Sequence, residues 1–241
     1  MCTVTYIPPT NTDGFILTSN RDEKSFRPTI PPQIYQVNGM NVCFPKDEQA
    51  GGSWIASNDR GRLCCLLNGA FVAHQKKTRY AQSRGTVLIE LASSVLTPAD
   101  FFQVKNLRNV EPFTIITLEI QSGSISHLSE FIWDGHGKHL RDLPPDEPAI
   151  WSSVTLYDEE HRKLRRQWFK RLLANQNGPI SPKQIFEFHS GSHTNDSDID
   201  VVMEREGGLK TVSITQVVPE KGKFRMAYYD LQQQFSKEVT T

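Results

Sequence analysis

Three places in the sequence hold side chains that could act together on a carbonyl. Cys2 stands directly behind the initiator methionine, Asn20-Arg21-Asp22-Glu23 closes one apolar run, and Asn68-Gly69 closes another. Removal of Met1, which a small second residue favours, leaves Cys2 with a thiol and a free α-amine. The thiolate is a strong nucleophile, and an α-amine with a reference pKa of about 7.7 to 8.0 accepts a proton near neutral pH. Nucleophile and base then come from one residue. Attack creates an oxyanion, for which the Asn68 side-chain amide and a backbone N–H are the expected donors, while Gly69 lets backbone approach a substrate. One such donor is worth roughly 2.7 to 4 kcal/mol in the transition state. A cation near the thiol lowers its pKa, and Arg21 is the candidate, with Asp22 or Glu23 holding it or contacting the amine.

The elements must bring these groups together. Residues 2–7 and 14–19 read as strands joined by the turn material PPTNTDG, which sets Cys2 beside an Asn20-Arg21 corner in an antiparallel pair. SWIAS (53–57) and RLCCLLN (62–68) form a second hairpin across Asn58-Asp59-Arg60-Gly61, and this hairpin delivers Asn68. Between the two hairpins, RPTIPPQIY reads as extended and is followed by a polar loop ending at Gly51-Gly52.

Val87, Leu88, Leu91 and Val95 recur at helical spacing over 85–96, and Thr97-Pro98 caps and opens a second short helix. FTIITLEI (113–120) is a strand that pairs with SISHLSEFIWD across Gln121-Ser122-Gly123. A proline-rich connector leads to a short segment at 150–156. Residues 158–173, with Leu164, Trp168 and Leu172, predict a basic amphipathic helix with a solvated charged face. Ser181-Pro182 opens another helix through Phe188, HSGSHTNDSDID reads as a solvated loop, and TVSITQVV with FRMAYYDL makes a final hairpin. Blocks of strands alternating with blocks of helices imply an α+β fold, antiparallel sheet with helices on its outer faces, as a single domain over 1–241.

The 241 residues carry 27 basic and 27 acidic side chains, so no charge excess marks a nucleic-acid or anionic-lipid partner. No apolar run reaches the roughly 18 residues of a membrane span, and the N-terminus lacks the pattern of a secretory signal. Cys2, Cys43, Cys64 and Cys65 show no CxxC pairing, which fits a reducing, cytoplasmic setting, and on a strand Cys64 and Cys65 point to opposite faces. No metal site is expected. His189 and His193 stand four apart, but Gly191 interrupts the helix, and DSDID lacks the glycine and glutamate of a calcium loop. His136 and His139 lie in a polar turn. Trp54, Trp133, Trp151 and Trp168 read as core or near-core aromatics, and Trp151 with Tyr157 could line an acyl pocket.

The Met-Cys start, Asn20 to Glu23, Arg27-Pro28, Gly51 to Trp54, Arg60 to Leu63 and Ser83-Arg84-Gly85 together resemble the NRDE family, of the transport and Golgi organisation 2 type. The resemblance is specific over roughly the first 90 residues, with TVSIT at 211–215 similar to the family's late strand. It implies an N-terminal-nucleophile (Ntn) hydrolase-like fold, a four-layer αββα sandwich. By similarity to the cysteine-type Ntn acylases, Cys2 matches the nucleophile, Arg21 the arginine after the second strand and Asn68 the oxyanion asparagine. Asp22 is a looser match. Arg84 belongs to a shared block, where it caps a helix or pairs with a carboxylate. Ser152-Ser153 stands where relatives carry Ser-Asn, so the role of that asparagine is vacant or falls to Ser153.

Two readings follow. The first is an amidohydrolase that cleaves a non-peptide C–N bond in a small-molecule substrate without a cofactor. The second is a non-catalytic carrier that holds a hydrophobic ligand, haem or an acyl lipid, in the same cleft; haem would need a histidine, cysteine or tyrosine ligand.

Overall fold

The computed structural model describes residues 3–10, 14–176 and 178–241, so Cys2 lies outside the described residues. Strands β1 (Thr3–Ile7) and β2 (Ile16–Lys24) are followed by β3 (Thr29–Val37), β4 (Met40–Asp47), β5 (Ile55–Asn58) and β6 (Arg62–Asn68). Helices α1 (Arg84–Ala92) and α2 (Pro98–Val104) precede β7 (Phe113–Gln121), β8 (Ser124–Trp133), β9 (Lys138–Asp142) and β10 (Ala149–Ser152). Helices α3 (Glu159–Ala174) and α4 (Pro182–Ser190) lead into β11 (Glu204–Arg205), β12 (Leu209–Glu220), β13 (Lys223–Asp230) and β14 (Phe235–Thr240).

The strands form two antiparallel sheets. One has the order β10-β1-β2-β12-β13-β14, with β11 added on β12, and the other runs from β3 to β9 in chain order. Three apolar clusters define the layers. Val4, Tyr6, Leu17, Val217 and Met226 of the first sheet meet Cys43, Trp54, Leu63, Cys65 and Leu67 of the second between the sheets. Met40, Val42, Cys64 and Leu66 face Val87, Leu88, Leu91 and Phe102 of α1 and α2, while Ile7 and Ile16 face Trp168, Phe169, Ile185 and Phe188 of α3 and α4. This is the four-layer αββα sandwich. Pleat alternation sends Cys64 outward and Cys65 inward, as their adjacency predicts.

The structure departs from the sequence expectations at several elements. The polar loop before Gly51 contains β4, joined to β3 by a two-residue turn in which Asn38 and Gly39 both have positive φ, 51° and 74°; that Asn-Gly pair is a hairpin signal. Pro31 and Pro32 sit at a register shift in β3, an edge strand, where missing ladder donors are tolerated. Helix α1 ends at Ala92, where the Ser93 N–H still reaches the Ile89 carbonyl and the Ser94 N–H tightens onto the Leu91 carbonyl, and Val95 is left 77% exposed. The expected polar turn keeps His136, closed on Asp134, but His139 lies in strand β9, and β14 adds an edge beyond the expected final hairpin. Among the described residues no helix is long and apolar enough to cross a membrane.

Candidate active site

The tetrapeptide Asn20 to Glu23 is not a corner. Strand β2 runs through it to Lys24, because β12 supplies a partner along its whole length: Ile214 for Asn20, Ser213 for Arg21, Thr211 for Asp22 and Lys210 for Glu23. The pleat then sends alternate residues to opposite faces. Arg21 and Glu23 line a cleft beside the second sheet, whereas Asn20 and Asp22 face the elements around α3 and α4.

On the helix side, Asn20 Nδ2 donates to the carbonyls of His189 at 3.1 Å and Val201 at 2.9 Å. Its Oδ1 therefore accepts from His189 Nδ1–H, which leaves Nε2 to accept from the Thr5 hydroxyl at 2.7 Å. Burial, with a smaller contribution from His193, pushes the His189 imidazole down to about 3, so the ring is neutral. A hydroxyl, an imidazole and an amide in this order have the form of a nucleophile, a base and its orienter. Thr5, Asn20 and His189 are all wholly buried, however, so no substrate can reach them. The set is a strut, and His189 is not part of a solvated loop. Asp22 accepts from Tyr157 Oη at 2.7 Å and Thr211 Oγ1 at 2.6 Å. It does not hold Arg21, from which the strand itself separates it.

Asp47 holds Arg21. Arg21 Nη2 donates to Asp47 Oδ2 at 2.6 Å and Nη1 to Thr29 Oγ1 at 3.0 Å, with the guanidinium 4.5 Å from the Trp54 ring centroid. Asp47 also forms an ion pair with Arg27, Nε lying 2.7 Å from its Oδ2, and Glu23 forms another with Arg27 Nη1 at 3.3 Å. Asp47 Oδ1 accepts the Gln49 and Ala50 N–H groups, an Asx turn at the end of β4. An aspartate followed by Gly51-Gly52 was the available signal for this residue, and the loop reading hid it.

The cleft has a volume of about 410 Å³ and is lined by Arg21, Asp47, Trp54, Asn68, Lys76 and Arg84 among others. One wall is a close approach of two glycines: a Cβ on Gly52 would stand 2.7 Å from the Gly85 carbonyl carbon, and one on Gly85 2.7 Å from the Ser53 oxygen. Arg84 pairs with Glu111 at 3.1 Å and donates to the Pro112 carbonyl at 3.3 Å, which is carboxylate pairing; Ser83 is the cap of α1. Burial lowers the pKa of Arg84, against the pull of Glu111.

Asn68 ends β6 at the cleft, and no hydrogen bond engages its side-chain amide among the described residues. Its carbonyl accepts from Ser153 Oγ at 2.8 Å, and that hydroxyl also meets Thr155 Oγ1 at 2.9 Å. Gly69 has φ +86°, and a Cβ there would lie 2.4 Å from Val154 Cγ2. Its N–H is taken by the Pro112 carbonyl at 3.0 Å, so it is not the second oxyanion donor. A second cavity, of 280 Å³, adjoins Asn68 and is lined by Trp151, Ser152 and Ser153; Tyr157 is not in it but stands buried against Asp22.

Thr3 sits between two strands, paired with Asn20 of β2 and Ser152 of β10. Its hydroxyl faces α3 and accepts from Arg165 Nε at 3.2 Å. Arg165 is wholly buried, so the charged face of α3 is not entirely solvated. No group of three His, Cys, Asp or Glu side chains is arranged to hold a metal among the described residues.

An αββα sandwich of two antiparallel sheets with β1 inside one of them is an Ntn-hydrolase-like fold. Solved structures agree. A variant of conjugated bile acid hydrolase from Clostridium perfringens superposes with a TM-score of 0.61 at 11% identity, covering 99% of this chain and 92% of that one. A Caenorhabditis elegans N-acylethanolamine-hydrolyzing acid amidase ortholog gives 0.58 at 15% identity, covering 90% and 93%. Penicillin V acylase from Agrobacterium tumefaciens gives 0.54 at 10% identity, covering 100% and 86%. Residues 1–230 match the family Transport and Golgi organisation 2, and the chain belongs to that family. No curated protein matches the chain significantly.

Proposed function

We propose that this protein is a cysteine-type Ntn amidohydrolase that cleaves a non-peptide C–N bond in a small molecule without a cofactor. The observation that carries it is the placement of Thr3, which ties the start of the chain between Asn20 and Ser152, beside the cleft of Arg21 and Asn68. Val4 packs between the sheets, on the side where Arg21 lines the cleft, whereas Thr3 turns its hydroxyl toward α3. On this reading Cys2 attacks the carbonyl carbon and its α-amine takes the thiol proton. That proton passes to the leaving amine as the C–N bond breaks. Water, deprotonated by the same amine, then hydrolyses the thioester. Arg21 favours the thiolate, Asn68 Nδ2 donates to the oxyanion, and Glu23 keeps Arg27 in the rim. The unpaired thiols of Cys43, Cys64 and Cys65 fit work in a reducing, cytoplasmic compartment.

The experiment is an intact-mass measurement with a brief iodoacetamide pulse at pH 7, followed by turnover of a panel of N-acyl amides. Burial pushes the thiols of Cys43, Cys64 and Cys65 up to about 12, so they stay silent and any fast adduct reports Cys2. Loss of Met1 with rapid labelling at Cys2 and amide turnover is the expected result. A chain that keeps Met1 lacks the base, and the hydrolase reading falls.

A carrier on the same fold is the second reading, favoured by Ser153, whose hydroxyl is committed to the Asn68 carbonyl and so does not fill the role of the relatives' asparagine. Saturable binding of haem or a fatty acyl compound at micromolar concentration, with an inert Cys2, is what it requires.

A further inference from the structure

We infer that Arg165 is a positioning residue for the N-terminal nucleophile, acting through Thr3; this rests on the hydrolase reading. Arg165 is the largest wholly buried side chain among the described residues. Burying a guanidinium costs several kcal/mol unless its surroundings repay it, so its place asks for a purpose. Its Nε donates to Thr3 Oγ1 at 3.2 Å and its Nη2 to the Asp200 carbonyl. Its plane lies 3.5 Å from the centroid of the Tyr157 ring, a cation–π contact that holds it in one orientation.

Tyr157 is fixed in turn. Its hydroxyl donates to Asp22, whose other oxygen takes the Thr211 hydroxyl, and the Met203 N–H donates to that same hydroxyl. Arg205 stands 5.3 Å from the Tyr157 ring and donates to the Leu156 carbonyl. The chain of contacts therefore runs from β12 through Asp22, Tyr157 and Arg165 to the first residue of β1. Thr3 and Asn20 are paired across the strands, and Asn20 is clamped by His189. The two ends of one cross-strand pair are thus pinned by separate elements, α3 at Thr3 and α4 at Asn20. That is the support a one-residue catalytic unit needs, since a nucleophile at position 2 is bonded directly to Thr3. Asp22, read from sequence as a candidate catalytic group, serves on the far side of the sheet as the anchor of this chain.

The test uses the full-length protein with Met1 removed and measures iodoacetamide alkylation of Cys2 against pH, alongside amide hydrogen exchange at Thr3 and thermal unfolding. Arg165→Met is expected to slow Cys2 alkylation at pH 7 by about tenfold, equivalent to about one unit in the thiol midpoint. Arg165→Lys, which keeps a donor near Thr3, restores part of the rate. Tyr157→Phe frees Arg165 and Asp22 from each other and gives a smaller shift in the same direction; it carries the test if Arg165→Met does not fold. Wild-type rate and midpoint in both Arg165→Met and Tyr157→Phe, with the wild-type Cys2 fast, overturn the inference and leave the hydrolase reading standing. A slow wild-type Cys2 sinks the hydrolase reading; faster exchange at Thr3 in Arg165→Met then still separates a supported strand from an idle one.

Discussion

Asn20 and His189 bond to each other twice, ring to amide and amide to main chain: His189 Nδ1–H donates to Asn20 Oδ1, and Asn20 Nδ2 returns to the His189 carbonyl at 3.1 Å. A third bond runs to the Val201 carbonyl at 2.9 Å. Asn20→Ala takes the Asn20 bonds from the buried His189 carbonyl and imidazole N–H, and leaves the Val201 carbonyl with the Thr211 hydroxyl at 3.4 Å. Each unsatisfied group costs about 1–3 kcal/mol, so the variant is expected to lose at least that much stability by urea titration. Asn20→Asp does no better, because a carboxylate cannot donate to the two carbonyls.

The same pair sets a pH dependence. Folded His189 protonates only near about 3, and the unfolded side chain at its ordinary 6.5. Between these values the unfolded chain binds the extra proton, so stability is full above pH 6.5 and falls as pH drops toward 3. The slope from this one group is about 1.4 kcal/mol per pH unit. Urea midpoints at pH 7, 5.5 and 4.5 measure it, and His189→Gln should flatten the profile over that window.

Asp47 is the hinge of the cationic cluster. Asp47→Asn removes the only carboxylate among the described residues that pairs with the buried Arg21, and breaking a buried pair costs about 3–5 kcal/mol. Adding Arg21→Met should recover much of that loss. Simple additivity in the double variant would show that the two residues do not act as a pair.

Asn68→Ala separates chemistry from stability. Its amide has no hydrogen-bond partner to lose among the described residues, so unfolding should barely change. If the amide serves the oxyanion, kcat on any amide that is turned over falls by about 10²–10³.

The cleft wall gives a steric prediction. Gly85→Ala brings Cβ to 2.7 Å from the Ser53 oxygen, and backbone cannot swing away as a side chain does. Overpacking of this kind costs about 1–3 kcal/mol. Gly178→Ala, with nothing within 4 Å, is the control and should be neutral or slightly stabilising. Equal melting temperatures for the two variants would show that the glycine contact is not tight.

Much of the fold could be read from residue order because its strands are apolar on one face or both. RLCCLLN and FTIITLEI match β6 and β7 closely, Thr97 and Ser181 open the helices expected of them, and α3 fills nearly all of 158–173 with Asp158 as its cap. Where the reading failed, polarity misled. Asn20 to Glu23 look like a corner, yet each pairs with a residue of β12 inside a strand. Arg165 looks like one more charge on a basic helix, yet it is the side chain that helix buries most deeply. Strand β9 is exposed at all five positions, so no alternation marks it. Asp47 reaches the site by packing between distant segments, which spacing along the chain does not record.

The place of β1 also sets a timetable. Its neighbours are residues 16–24 and 149–152, and β2 is itself closed only by residues 209–220. A ribosome adding about 5–20 residues per second needs roughly seven to thirty seconds to make the chain from the first strand to β10. During that interval β1 has a partner on one side at most. The edge that β10 later covers stays open throughout, and the sheet shuts around β2 only once β12 has been made.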